Sequence, residues 1–217
     1  MCELQDQIKD KIITDKELLA YNLKWENYNS SKLGNNNLNV KITERKNINC
    51  TDTIAHYKYI EYTRWSDKKL CAAIGFNPAK HKPDDIDGTN IKLINTLGKK
   101  GYGGYLLLNL YPQVSPNKEE FDELNKENIK FHNTLLKVLD VLIKENIDTV
   151  IFWGRTVSID NNIFSKLEEM RKQRILYMTV KEGTSQHCHP ARVSIDIKLI
   201  EDSKYFDISP KLIGEKP

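Results

Sequence analysis

"GYLLLNLYP", residues 104–112, is an unbroken apolar run closed by an asparagine, a tyrosine and a proline. A run this short with a turn signal behind it fits a strand buried on both faces. "DTVIFWG" (148–154) and "RILYMTV" (174–180) have the same form, and "LCAAIGF" (70–76) runs directly into Asn77 and Pro78. Segments with helical spacing separate these runs, at 88–99, 119–145 and 160–172, the middle one carrying Phe121, Leu124, Leu135, Leu139 and Leu142. Strand alternating with helix predicts an α/β fold, a three-layer α/β/α sandwich whose central sheet is mostly parallel. "RVSIDIKLI" (192–200) alternates through Val193, Ile195, Ile197 and Leu199, which predicts a last strand at a sheet edge with one exposed face.

Upstream, "TIAHYKYIEYTRW" (53–65) is rich in aromatic and β-branched residues and predicts a strand. The short "WSDKK" link then predicts a hairpin into Leu70. Residues 3–28 carry Leu4, Ile8, Ile12, Leu18, Leu19 and Leu23 at mostly three-to-four spacing, an amphipathic helix, and "SSKLGNNNLN" (30–39) has the composition of a linker. The expected organisation is a helical extension and linker over 1–39, able to dock a protein partner, and one main domain over 40–217.

At 217 residues and 39% hydrophobic content the chain supports one well-cored domain. With 33 Lys and Arg against 30 Asp and Glu, the net charge of +3 permits a polyanionic partner without requiring one. Cys2, Cys50, Cys71 and Cys188 form no CxxC pair, and the start "MCELQDQIKDK" lacks the order of a secretion signal, so a reducing cytoplasm is expected. No apolar run approaches the roughly 20 residues that span a bilayer. "HCHP" (187–190) puts His187, Cys188 and His189 side by side, but consecutive residues point apart and no second ligand pair stands at finger spacing. Neither metal nor cofactor is expected.

In a parallel sheet the ligand lies outside the carboxyl ends of the strands. Those ends are Gly75-Phe76-Asn77-Pro78, Asn109-Leu110-Tyr111-Pro112, Trp153-Gly154-Arg155 and, beyond the fourth run, His187-Cys188-His189-Pro190. Taken singly, each is what an ordinary strand end looks like, since glycine, proline and asparagine favour turns. Their convergence on one rim points to a polar site, because two amides and a neutral histidine read polar ligands.

The order of these segments resembles the uracil-DNA glycosylase superfamily. "AIGFNPAK" resembles its first motif, in which a glycine, any residue, and an Asp or Asn precede a proline. "GYLLLNLYP" resembles the strand ending in the base-reading asparagine, "DTVIFWGRTVS" the strand before a packing helix, and His189-Pro190 the start of its histidine-proline-serine motif. More closely, Arg64-Trp65, "GFNPA", "GYGGYLLLNLYP" and "HP" resemble an uncharacterised family of bacterial and phage proteins with the same layout. The resemblance covers about residues 55–195.

It implies a DNA glycosylase acting on a flipped-out nucleotide. Asn77 would hold the attacking water, a positioning role suited to an amide that is a poor base. His189 would donate a hydrogen bond to the anion developing on the departing base, worth ~3 kcal/mol. Asn109 would read the base edge with one donor and one acceptor, Gly75 would let backbone approach the sugar, and Phe76 would border the base. By motif position, Arg192 and Val193 would fill the gap left by the base and contact phosphate, although Val193 also reads as the first residue of the edge strand.

Two departures matter. Where efficient uracil enzymes carry a tyrosine that blocks substituents on the pyrimidine, this chain has Ala79, which implies a base larger than uracil at the 5-position. The motif serine is Ala191, so one phosphate-contacting hydroxyl is missing. Lys80, Lys82, Lys99, Lys100, Arg155 and Arg192 gather near the expected mouth, with Asp84, Asp85 and Asp87 partly cancelling the first pair, and would track duplex or single-stranded DNA in a salt-dependent way. The alternatives are an enzyme acting on free nucleosides or nucleotides, and an inert nucleic-acid-binding or adaptor module on the same fold.

Overall fold

The computed structural model describes residues 23–27, 38–50, 57–78, 86–111, 129–154 and 159–201. Eight strands form one mixed sheet: β1 (Leu23–Asn27), β2 (Glu44–Cys50), β3 (Tyr57–Arg64), β4 (Leu70–Gly75), β5 (Gly104–Asn109), β6 (Thr149–Ile151), β7 (Leu176–Lys181) and β8 (Ile195–Leu199). Among the described residues three helices join them, α1 (Gly88–Lys99), α2 (Ile129–Lys144) and α3 (Asn161–Lys172). The spatial order is β1-β2-β3-β5-β4-β6-β7-β8. An α/β fold is therefore observed.

The sheet is less parallel than the sequence suggests. Parallel pairing holds only at the centre, between β5 and β4, β4 and β6, and β6 and β7. The strands outside that block pair antiparallel. The central strands alternate their burial between two faces. Ala72, Ile74, Leu106, Leu108 and Ile151 pack with Leu139 and Leu142 of α2 and Ile163, Leu167 and Met170 of α3. Cys71, Ala73, Tyr105, Leu107, Val150 and Phe152 pack with Leu93, Ile94 and Leu97 of α1. Those three α1 side chains are fully buried, and each is worth about 2 kcal/mol of apolar transfer. The carboxylate of Asp87 fixes the start of α1 by accepting from the Asn90 N–H at 2.7 Å.

The predicted hairpin between β3 and β4 does not form, because β5 lies between them. Residues 65–69 cross over the beginning of β5 instead. The N–H groups of Trp65 and Ser66 both donate to the Gly103 carbonyl, at 2.8 and 2.9 Å, and the Gly103 N–H donates to the Lys69 carbonyl at 2.8 Å. A Cβ on Gly103 would stand 2.5 Å from the Ser66 oxygen, and one on Gly104 2.7 Å from the Thr63 oxygen. Gly103 and Gly104 thus form a backbone crossing that excludes side chains. Trp65 covers it, its indole donating to the Tyr102 carbonyl at 3.0 Å.

The helix expected over 3–28 lies outside the described residues as far as 22; Leu23–Asn27 is a strand, paired antiparallel with β2. "LKWEN" alternates apolar with polar as readily as it continues a helical stripe, and ladder pairing decides for the strand. β2, "ERKNINC", has no apolar alternation to announce it and is held between β1 and β3. β8 is an edge strand, as expected, with Ile195 and Ile197 buried and Lys198 exposed. Among the described residues no helix is long and apolar enough to cross a membrane.

The crossing gives a direct test. Gly103→Ala should lose about 3 kcal/mol in urea unfolding because backbone must move, whereas Gly88→Ala, with nothing within 4 Å of the added Cβ, should be neutral or slightly stabilising. Equal losses would contradict the crossing as described.

Candidate active site at the strand ends

Because β4 and β5 are parallel and in register, Gly75 is paired with Asn109 and both strands stop level. The two chains stay together one step further, with the Leu110 N–H donating to the Gly75 carbonyl and the Tyr111 N–H to the Phe76 carbonyl, each at 3.0 Å. β6 ends at Ile151, and Phe152 follows it. The Phe152 N–H still donates to the Ile74 carbonyl at 3.0 Å, which aims this residue across the end of β4. A Cβ on Gly75 would fall 2.6 Å from the Phe152 ring and 2.9 Å from Asn109 Oδ1. Glycine at 75 therefore leaves the space that the ring and the amide oxygen occupy.

His189 arrives from the other side. After β7 the chain turns back, and His187 bridges antiparallel to Val180. The Cys188 N–H donates to the Thr179 carbonyl at 3.1 Å, and the Thr179 hydroxyl donates to the Cys188 carbonyl at 2.6 Å. This return strand comes up against Gly154, whose φ is +74°. A Cβ there would overlap the His189 backbone nitrogen, so both the dihedral and the contact require glycine. The His189 ring then lies 6.1 Å from that of Phe152. Gly75, Asn109 and His189, from three separate stretches of sequence, are gathered around one buried phenylalanine.

A local hydrogen bond selects the tautomer of the neutral His189 ring. Its Nδ1 accepts from the Ala191 N–H at 3.2 Å, so the neutral ring carries its proton on Nε2 and presents a donor there. Pro190 begins a short 3-10 turn, Pro190–Arg192, capped by His189 itself. From α1, the Lys92 ammonium donates to the carbonyls of Ala191 and Val193, at 3.1 and 3.2 Å. His187 behaves differently. Its ring lies 6.5 Å from Trp153, and its Nε2 is buried without a hydrogen-bond partner. Burial first, and the neighbouring His189 second, push its pKa from the ordinary 6.5 down to about 4.

The other expected residues divide. Asn77 is half-buried two residues beyond β4, followed by a buried Pro78. Phe76 pairs edge-on with Tyr111 at 5.1 Å and packs on the α2 and α3 side of the sheet, away from the Phe152 side. Arg192 ends the 3-10 turn, and Val193 packs partly buried against the α1 cluster. Ala79, Lys80, Lys82 and Arg155 lie outside the described residues. Lys99 and Lys100 stand at the far end of α1, which runs from the rim back to the start of β5, and Lys100 is paired with Asp196 at 2.8 Å. They do not belong to the mouth. Among the described residues no group of three or more His, Cys, Asp or Glu is placed to hold a metal ion.

The sequence reading missed Phe152 and Lys92. A phenylalanine at the end of an apolar run reads as core, and a lysine on a helix reads as solvent-facing. Only the glycine after "FW" signalled a close approach.

These features define an α/β domain with a polar cluster at the carboxyl ends of parallel strands. The chain belongs to the family described as protein of unknown function (DUF1643), whose model matches residues 59–191. That span runs from β3 to the 3-10 turn and takes in Gly75, Asn109, Phe152, Gly154 and His189. A search of curated proteins and a search of solved structures each gave no significant match.

His187 supplies a pH test. Its folded pKa lies below its unfolded value, so the unfolded chain binds the proton more tightly, and this contribution to stability is complete above about pH 6.5 and lost as the pH falls towards 4. The stability advantage of the wild type over His187→Phe should therefore shrink between pH 7 and pH 4.5 in urea unfolding. An advantage that stays constant over that window would contradict a neutral His187 with its Nε2 buried.

Proposed function

We propose that the protein is a DNA glycosylase that hydrolyses the N-glycosidic bond of a flipped-out, 5-modified pyrimidine, on a three-layer fold of the uracil-DNA glycosylase type. The observation that carries this reading is the grouping of Gly75, Asn109 and His189 around Phe152, with the His189 proton on Nε2. The motif order and the helices on both faces of the sheet also support it.

Cleaving the bond puts positive charge on the sugar and negative charge on the base. His189 Nε2–H stabilises the base anion without first having to be protonated, and Asn77 at the end of β4 orients the water. Asn109, level with Gly75, offers an amide to the base edge. A base stacked in a duplex is out of reach of these groups, so the nucleotide is flipped, at a cost of a few kcal/mol that is smaller for single-stranded DNA. An alanine at 79, where the resemblance would place a tyrosine, is expected to admit a 5-substituent. Such an enzyme would serve repair or defence against modified phage DNA, and the free thiols of Cys71 and Cys188 suit a reducing cytoplasm.

The test is incubation with DNA carrying uracil, hydroxymethyluracil or hypermodified cytosine, followed by alkaline cleavage of abasic sites. Faster release of a 5-substituted base than of uracil is expected, with losses of about 10²-fold or more in His189→Ala and in Asn77→Ala. Release of free bases from mononucleosides alone would favour the nucleoside enzyme. No release from any substrate would leave the binding module.

A further inference from the structure

The Lys92 ammonium is held by two backbone carbonyls that lie 99 and 101 residues away in sequence, Ala191 at 3.1 Å and Val193 at 3.2 Å. A lysine on a helix surface ordinarily gives its charge to water or to a carboxylate. Here α1 is fixed beneath it by fully buried Leu93, Ile94 and Leu97, and by the Asp87 cap, so the base of the side chain is stationary.

Ala191 is bonded on both sides of its Cα. Its carbonyl accepts from Lys92, and its N–H donates to His189 Nδ1. The imidazole is thus connected to α1 through one residue. Upstream, the same segment is fixed by the contact of the His189 backbone with Gly154 and by the Cys188–Thr179 pair. Downstream, Val193 packs on the α1 cluster, and its carbonyl is the second acceptor of Lys92. Of these restraints, only the one through Lys92 acts on the residue whose N–H sets the ring proton.

We infer that Lys92 is the positioning residue that holds the 3-10 turn against α1 and thereby keeps the neutral His189 in its Nε2–H tautomer. The inference rests on the proposed role of His189 for its catalytic consequence, but its structural content stands apart from that role. Without the ammonium, Ala191 is released on its carbonyl side, its N–H no longer stays on Nδ1, and the ring samples the Nδ1–H form, which has no donor on Nε2. An arginine at 92 retains positive charge and several donors and can reach two carbonyls; a methionine keeps the apolar stem and loses every donor.

The experiment is ¹⁵N spectroscopy of the histidine side chains at pH 8 in the full chain, with His189→Gln used for assignment. The wild type should show His189 almost wholly as Nε2–H, Lys92→Met a mixture of tautomers, and Lys92→Arg a return towards wild type. On a substrate that the wild type processes, Lys92→Met should lower kcat about 10-fold with KM little changed. An unchanged tautomer in folded Lys92→Met overturns the inference; should that variant not fold, failure of folded Lys92→Arg to keep the Nε2–H form overturns it equally. A tautomer shift in a protein that releases no base from any DNA upholds the role of Lys92 and overturns the glycosylase reading instead.

Discussion

The backbone crossing at Gly103 and Gly104 governs the rest of the sheet. Residues 65–69 pass over the start of β5 with no room for a Cβ beneath them, so β5 is inserted between β3 and β4. With β6 on the other side of β4, that order makes β5 the second parallel neighbour of β4. Parallel neighbours in register end at the same height, and this brings Asn109 beside Gly75. A hairpin of β3 with β4 would take the place beside β4 that β5 needs and separate the two residues. The candidate site depends on a contact at the opposite end of the strands.

The same economy operates at the rim, where the groups that could do chemistry are brought together by residues without side chains. Gly154 lets the His189 backbone approach, and Gly75 makes room for Phe152 and the Asn109 oxygen. Phe152, only 5% exposed, is the common surface of the cluster. Burial makes its position well determined, and strand pairing through its N–H fixes its height above the sheet. In the proposed glycosylase this rigidity keeps the amide and the imidazole at a set separation before the substrate arrives, as preorganised electrostatic stabilisation requires.

Much of this was legible in the sequence, for physical reasons. Strands buried on both faces must be continuously apolar, which exposed β4, β5, β6 and β7, and the helical spacing over 88–99 coincides with α1. Gly75 and Asn109 stood out as an unrestricted and a polar residue at the ends of such runs, and His189 stood out beside Pro190 beyond the fourth run. β1 and β2 were hidden, because antiparallel strands near an edge are held by ladder bonds that leave little trace in the pattern of apolar residues. The crossing was misread because a five-residue link is compatible with a hairpin and nothing local states which strand intervenes. Lys92 was invisible for a similar reason, its partners lying about a hundred positions away.

The proposed glycosylase would stabilise at this rim a transition state in which the sugar carries positive charge and the base negative. The most direct measurement compares the binding of two oligonucleotides that differ at one position, one with a cationic pyrrolidine in place of the target deoxyribose and one with the neutral tetrahydrofuran. With the departing free base present, the account predicts that the cationic strand binds about 10²-fold tighter or more and that this preference disappears in Asn77→Ala. Equal affinity for the two strands would contradict it.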